Sequence, residues 1–268
     1  MNSCPTAPRP ADAAGTAIVV AHPDDEMLWF SGVLGAAGRV VLCYGDSFWR
    51  PAISAARRRA VASLPLAGLV ALAIPESGAR FMADWAAPRL TACGIAITEP
   101  AAAARYEANF PLLVERLRPL LAGRREVYTH NPWGEYGHSE HLQVHRAVTL
   151  LQAELGFTLW FSNYVGPRSW PLARMLANQV GWSARRSVAP DLALAHRLAQ
   201  HYRRHGARTW PALHRWPGVE TFYAQAPTRA AEQAPDAMPR QLFAGEVLCD
   251  VSRLRPWFPA RLARRRLR

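Results

Sequence analysis

The feature that most constrains the fold is the alternation of short apolar segments with longer segments of helical periodicity over residues 16–165. Strands that are apolar throughout must be covered on both faces, and their alternation with helices indicates a parallel sheet. The expected fold is therefore a Rossmann-like α/β sheet, mostly parallel, with helices on both faces. Strands are predicted at 16–21, 39–45, 69–75, 125–131 and 158–164, and helices near 25–37, 54–64, 102–122 and 138–155.

The sequence changes character after residue 166. Helices are predicted near 170–180 and 191–205, before a Trp- and Pro-rich segment, and residues 224–240 have the composition of a polar loop. We expect a C-terminal helical and loop extension on the main sheet rather than a second domain. The predicted divisions are a flexible leader (1–15), a single domain (16–223) with a motif-bearing core (16–165), and a polar loop with an arginine-rich tail (224–268).

Composition excludes several classes of enzyme. All 32 Lys and Arg residues of the 268-residue chain are arginine. A chain without lysine cannot form a lysine Schiff base, anchor pyridoxal phosphate or supply a P-loop lysine. The cysteines Cys4, Cys43, Cys93 and Cys249 are far apart and form no C-x-x-C pair. They argue against a cysteine zinc site and give no support to a disulfide framework.

Neither a signal peptide nor a membrane span is predicted. The leader lacks a charged n-region and an apolar h-region, and the longest apolar stretch, LPLAGLVALAI, is too short to cross a bilayer. We therefore expect a cytoplasmic protein, and the sequence gives no indication of its oligomeric state.

The basic tail allows more than one interpretation. Residues 253–268 hold seven arginines and no acid, out of a formal net charge of +12. We interpret the tail as a solvated end, with peripheral contact at the inner membrane surface, close to a lipid-linked substrate, as the alternative. Nucleic acid is not expected as a partner, because no recognised nucleic-acid module accompanies the charge.

The stretch AHPDDE, residues 21–26, follows the first predicted strand and opens a helix. His22 ends the strand, and Pro23 suits the start of a helix. The three acids at 24–26 repel one another, although a helix dipole favours acids in its first turn. They are either ordinary first-turn acids or part of a site whose cation offsets their charge.

A second stretch, HNPWGEYGHSEH at residues 130–141, also follows an apolar strand and opens a helix. His138 and His141 are three residues apart and share a helix face. The carboxyl ends of parallel strands meet at one edge of a sheet. An H-x-x-D pair and an H-x-x-H pair are therefore delivered to the same edge, and three N or O ligands with an open position are typical of a catalytic zinc site.

At these residues the sequence resembles the PIG-L/LmbE-like metal-dependent N-deacetylases, whose signatures are A-H-P-D-D-E and a later Y-G-H-x-[DE]-H. They read here as residues 21–26 and 136–141, with Ser139 and Glu140 where many members have Pro and Asp. The resemblance covers about residues 16–165. It implies a Rossmann-like fold and a zinc hydrolase of glycoconjugate biosynthesis that removes acetyl from an N-acetylamino sugar, such as N-acetylglucosamine.

The resemblance also implies residue roles. His22, Asp25 and His141 would hold one Zn²⁺ per chain, with Fe²⁺ or another divalent metal as an alternative. Asp24 would be the general base that acts on the attacking water.

Further roles fall on the second motif and the loops. His138 would be the acid or electrostatic partner of the intermediate, Tyr136 would help to hold its oxyanion, and Glu140 would tune a neighbouring histidine. The loop 131–135 is expected to rim the site. Weaker candidates for supporting or substrate contacts are His130, Asn131, Trp133, Asp46 and Arg58.

Two other functions remain open on the sequence. A zinc amidase or esterase with a non-sugar substrate would use the same metal chemistry. A non-catalytic module that binds anions would keep the fold without turnover.

Overall fold

The structure is a computed structural model that describes residues 14–176, 181–210, 214–226 and 249–250. Its strands are β1 (Thr16–Val20), β2 (Arg39–Tyr44), β3 (Leu69–Ile74), β4 (Leu90–Thr91), β5 (Gly94–Ile95), β6 (Glu126–Thr129), β7 (Thr158–Ser162), β8 (Tyr164–Val165), β9 (Trp182–Val188), β10 (Glu220–Gln225) and β11 (Cys249–Asp250). Its α-helices are α1 (Asp25–Trp29), α2 (Ser31–Leu34), α3 (Pro51–Ala62), α4 (Pro100–Leu121), α5 (Ser139–Leu155), α6 (Trp170–Leu176) and α7 (Leu192–Arg204), and Ala79–Phe81 forms a 3-10 turn.

Seven strands form one sheet in the order β3-β2-β1-β6-β7-β10-β9. The first five strands of this order run parallel to one another, whereas β10 is antiparallel to both β7 and β9. The register places Val19 of β1 opposite Thr129 of β6. Strand order reverses between β1 and β6, and open α/β sheets bind ligands outside the carboxyl ends of strands at such a point.

Helices cover both faces of this sheet because the side chains of its central strands are apolar on both. Along β1, Ala17 and Val19 pack against side chains of α4, α5 and α6. Ile18 and Val20 point to the other face, where α1, α2, α3 and α7 cover them. Burying each of the larger side chains contributes about 1.5–3 kcal/mol. The predicted mostly parallel sheet with helices on both faces is confirmed.

The helices begin where the sequence supplies caps. Pro100 occupies the first turn of α4, and the Glu99 side chain accepts hydrogen bonds of 3.0 and 2.6 Å from the next free backbone N–H groups. His138 is the N-cap of α5, and Gly156 ends that helix with a φ of 78°. The cap of α5 therefore lies directly at the carboxyl edge of the sheet.

The C-terminal extension contains more strand than the sequence predicts. β9 and β10 complete the main sheet, but charged residues such as Arg185 and Arg186 interrupt the apolar pattern on which strand prediction depends. β10 extends to Gln225, and β11 pairs with β8 although it lies in the predicted loop and tail. The divisions of the chain otherwise stay a prediction.

Several predictions concern residues that the structure does not describe. The leader up to residue 13 and the arginine-rich tail from residue 251 lie outside the described residues. Within the described part of the chain, none of the helices has the length and apolarity needed to cross a bilayer. The predicted cytoplasmic location stays a prediction.

Candidate metal centre

The two predicted motifs meet at the carboxyl edge of the sheet. Residues 21–26 follow β1 and residues 130–141 follow β6. The backbone N–H of Ala21 donates a hydrogen bond of 2.8 Å to Nε2 of His130, which joins the two segments directly. The structure thus brings together the side chains that the sequence assigns to one site.

Asp25 lies at the centre of the site. Its Oδ2 atom is 3.2 Å from Nδ1 of His22 and 3.3 Å from Nε2 of His141. Its Oδ1 atom accepts a hydrogen bond of 2.8 Å from the indole N–H of Trp29. Ligand atoms that surround zinc tetrahedrally at about 2.0–2.1 Å lie roughly 3.3 Å from one another. Both histidines therefore lie at ligand spacing from the same carboxylate oxygen.

The hydrogen bonds of the His141 ring show whether these residues fit a metal. Nδ1 lies 2.8 Å from Oε2 of Glu135 and carries the proton, because a carboxylate only accepts. Nε2 of the neutral ring then presents a lone pair toward Asp25 and has no hydrogen-bond partner among the described residues. Burial lowers the pKa of His141, but Asp25 raises it above the ordinary value, so a proton is drawn to this position. A divalent metal would bind the lone pairs of both His141 Nε2 and Asp25 Oδ2 in place of that proton.

His22 has acceptors at both ring nitrogens. Nε2 is 2.9 Å from Oε2 of Glu140, and Oε1 of Glu140 accepts hydrogen bonds of 2.6 and 2.7 Å from the backbone N–H and hydroxyl of Ser77. Burial lowers the pKa of His22, but its hydrogen bonds to Asp25 and Glu140 outweigh burial and raise that pKa to about 10. Glu140 therefore orients the histidine of the first motif, which the resemblance did not specify.

Glu135 is a supporting residue whose role the sequence analysis missed. It is fully buried, and its Oε2 atom lies 3.1 Å from Nδ1 of His130 and 2.8 Å from Nδ1 of His141. Its Oε1 atom accepts from the backbone N–H of Asn131 at 3.0 Å and from the hydroxyl of Ser162 at 2.8 Å. Burial raises the pKa of Glu135, but the two histidines lower it to about 2. The ionised carboxylate fixes both imidazole rings.

Two overlapping groups of side chains have donor atoms close enough to share a metal. One group is His22, His138 and His141, and the other is Asp25, His130 and His141. His141 belongs to both groups, and the predicted ligand set of His22, Asp25 and His141 takes members from each without being either of them. His130 is poorly suited as a ligand because its Nε2 lone pair already accepts the N–H of Ala21. Nδ1 of His138 accepts the backbone N–H of Glu140 at 3.3 Å, so its Nε2 carries the proton in the neutral ring.

Asp24 adopts a strained backbone conformation, with a φ of 109°. Its Oδ2 atom accepts a hydrogen bond from the hydroxyl of Thr209, and its backbone N–H donates to Oε2 of Glu26 at 3.0 Å. Glu26 also accepts from the hydroxyl of Tyr202 on α7 at 2.9 Å. Non-glycine residues in such conformations cost on the order of 1–3 kcal/mol and cluster at functional sites. Asp24 and Glu135 are two of the three found in the described part of the chain.

A cleft of about 620 Å³, which includes space open to solvent, leads to this site. Tyr136 and His138 form one wall, with their ring centroids 5.8 Å apart. The described residues that line the cleft are His22, Asp24, Asp25, Ser47, Trp49, Arg50, Ile53, Arg57, Glu76, Arg80, Tyr136, His138, Thr209 and Trp210.

The weaker candidates do not reach this cleft. Trp133 is 1% exposed and packs in the core, so it has no free face for a sugar. Asn131 is fully buried, and its side chain donates to the carbonyl of Tyr164 in β8 and accepts the backbone N–H of Glu135. His130 is fully buried, and its ring nitrogens contact the backbone N–H of Ala21 and the carboxylate of Glu135. Asp46 and Arg58 form an ion pair with each other, and both side chains are exposed on the surface.

Comparisons with known proteins identify the fold. Neither a protein-family model nor a curated protein matches the sequence. A deacetylase–teicoplanin complex from the teicoplanin biosynthesis pathway aligns with a TM-score of 0.53 and 13% identity, over 79% of this chain and 99% of that chain. The zinc-inhibited form of a teicoplanin deacetylase aligns with a TM-score of 0.52 and 12% identity, over 79% and 98%. The chain therefore shares its α/β fold with solved deacetylases.

Proposed function

We propose that the protein is a metal-dependent N-deacetylase that removes the acetyl group from an N-acetylamino sugar, such as N-acetylglucosamine in a glycoconjugate or glycan precursor. The observation that carries the proposal is the single carboxylate oxygen of Asp25 at ligand spacing from His22 and His141, beside Asp24 and open to a cleft. The fold shared with teicoplanin deacetylases supports the same type of reaction.

His22, Asp25 and His141 would hold the metal, which we propose to be one Zn²⁺ per chain. A divalent ion bound there would polarise the acetyl carbonyl and lower the pKa of water to about 7. The same set of two imidazoles and a carboxylate also suits Fe²⁺ and other divalent metals, so the donor atoms alone do not select zinc.

Asp24 would take a proton from the water that attacks the acetyl carbon. Its carboxylate lines the cleft and is held in one direction by the hydroxyl of Thr209. In the reaction, the water oxygen bonds to the carbonyl carbon, the C–N bond breaks, and the proton passes to the leaving nitrogen. The products are acetate and a free amine. General acid–base catalysis of this kind contributes about 100- to 10,000-fold.

His138 and Tyr136, which line the same cleft, would stabilise the oxyanion. Burial lowers the pKa of His138 well below its ordinary value, and the nearby charges of His22 and His141 lower it further. The neutral ring carries its proton on Nε2 and can donate it toward the developing negative charge. The Tyr136 hydroxyl would supply a second donor, and losing one such donor costs about 100- to 1000-fold in kcat.

The test combines metal analysis with acetate release from N-acetylglucosamine conjugates, simple acetamides and acetate esters. We expect about one zinc ion per chain and acetate release from the amino sugars. His22→Ala should lose the metal, whereas Asp24→Asn should keep it and lose at least about 100-fold in kcat. Glu154→Gln, which removes an exposed carboxylate paired with Arg118, is the matched control.

Two results would contradict this division of roles. Equal loss of metal from His22→Ala and Asp24→Asn would remove the distinction between ligand and base. Acetate release confined to simple acetamides or esters would support the alternative amidase or esterase with a non-sugar substrate.

A further inference from the structure

The acidic side chains that line the cleft are already engaged. Asp25 contacts both ligand histidines, and Asp24 accepts the Thr209 hydroxyl. The third acid, Glu76, lies 2.5 Å from the guanidinium of Arg57 and accepts the backbone N–H of Phe48 at 3.1 Å. Glu76 is therefore paired with a cation and Asp25 with the imidazoles of two histidines, whereas Asp24 accepts a neutral hydroxyl.

Two further arginines line the same cleft on adjacent segments. Arg50 immediately precedes α3, and Arg80 lies in the 3-10 turn after β3. The segments touch, because the backbone of Phe48 donates to Glu76 and its ring fills the space beside Gly78. Both arginines therefore line the cleft from segments that are in contact with each other.

The surroundings of these arginines favour an anionic ligand. Arg50 is exposed and forms no ion pair with the described residues. The Arg80 guanidinium carbon lies 5.7 Å from the ring centroid of Tyr136, and Arg168, whose side chain fills the space beside Gly137, lies nearby. Burial lowers the pKa of Arg168, and the charge of Arg80 lowers it further. An anion at this wall would relieve the repulsion between like charges.

We propose that Arg50 and Arg80 bind an oxyanion group of the substrate, so that the enzyme acts on an N-acetylamino sugar carrying a phosphate or carboxylate. This inference rests on the proposed deacetylase function and narrows its substrate class. Guanidinium groups bind both oxyanions through paired N–H donors. The formal net charge of +12 would also raise the rate at which such a substrate arrives.

The test compares substrates that differ in one charged group. The probes are N-acetylglucosamine 1-phosphate, N-acetylmuramic acid for a carboxylate, and the neutral methyl glycoside of N-acetylglucosamine. For the zinc-loaded wild type we expect kcat/KM to be higher for an anionic probe by about 10-fold or more. Whichever anionic probe is preferred identifies the oxyanion. Raised salt should reduce the preference.

Arg50→Gln and Arg80→Gln should each reduce the anionic-to-neutral ratio of kcat/KM by about 10-fold, mainly through KM. Arg116→Gln is the control, because this exposed guanidinium on α4 binds the carbonyl of Leu72 and does not line the cleft. Its ratio should equal that of the wild type. A fall in kcat that is equal for charged and neutral probes would overturn the proposal and assign Arg80 to the reacting centre instead.

Calorimetry on the deacetylated sugars separates this inference from the proposed function, because product binding needs no turnover. Glucosamine 1-phosphate should bind the wild type more tightly than glucosamine, and Arg50→Gln should remove the difference. If that preference is found while no probe releases acetate, the proposed reaction fails and the anion site stands. If acetate is released at equal rates from charged and neutral probes, the reaction stands and the anion site is overturned.

Discussion

The Glu135 carboxylate offers the sharpest test of how the site is held, because Glu135→Gln changes one oxygen to an NH₂ group without changing shape. Its Oε2 atom faces Nδ1 of both His130 and His141. Its Oε1 atom receives the Asn131 N–H and the Ser162 hydroxyl. Glutamine has one acceptor oxygen for these two sides, so its NH₂ group must oppose a donor in either orientation.

Neither orientation of glutamine can be accommodated by moving protons. If the NH₂ faces the rings, His130 would have to shift its proton to Nε2, which already accepts the N–H of Ala21. If the NH₂ faces the other way, it meets the backbone N–H of Asn131. A buried donor without an acceptor costs about 1–3 kcal/mol. Loss of a carboxylate that orients a metal ligand costs about 10- to 100-fold in metal affinity.

We therefore expect Glu135→Gln to bind zinc about 10- to 100-fold more weakly, measured by competition with a chromophoric chelator. The free energy of unfolding of the metal-free variant, measured with denaturant, should also be lower by about 1–3 kcal/mol. Glu154→Gln is the matched control, since this exposed carboxylate lies far from the centre and pairs with Arg118. Zinc affinity within twofold of the wild type would refute the assigned role of Glu135.

Three further predictions concern the proposed base Asp24, the buried acid Glu220 and the loop that contains Gly134. Thr209→Val should lower kcat about 10-fold with zinc content unchanged, and Thr209→Ser should restore it, because the hydroxyl holds Asp24. Burial raises the pKa of Glu220 to about 7, so its stabilising protonated form is fully present below pH 4.5 and is lost as pH rises through 7. In urea unfolding, the wild type should therefore lose up to about 3 kcal/mol of its free energy of unfolding between pH 5 and pH 8 through Glu220. Glu220→Gln should not show this loss. Gly134→Ala should destabilise the protein by about 2 kcal/mol or more in the same assay, because its φ is +69° and a methyl group would meet the carbonyl of His138 at 2.7 Å.

The sequence predicts the parallel strands and the site's position because both depend on local patterns. β1 is apolar after its first residue, β6 has Val127 and Tyr128 at its centre, and the motifs begin at the residue after each strand ends. In a parallel sheet, those ends necessarily meet at one edge. The contact between residues 21–26 and 130–141 follows from topology, and no knowledge of individual side-chain contacts is needed.

Burial and distant contacts are what the sequence does not supply. An aromatic residue after a strand suits a sugar platform and a core position equally, and only packing assigns Trp133 to the core. Thr209 lies 185 residues from Asp24, and no motif marks it. Glu135 adopts a φ of 50°, which local propensity would assign to glycine or asparagine. Each of these roles is set by the folded neighbourhood.

The three consecutive acids show how the folded neighbourhood resolves a local conflict. Asp25 faces two imidazoles, and although burial raises its pKa, His141 and the other histidines lower it well below the ordinary value. Asp24 is turned away by its positive φ and accepts the Thr209 hydroxyl. Burial raises the pKa of Glu26 to about 7, despite its hydrogen bond from Tyr202, so near neutral pH it carries a proton part of the time. Adjacent carboxylates thus avoid mutual repulsion by taking different environments, and Asp25 keeps its charge where a metal would need it.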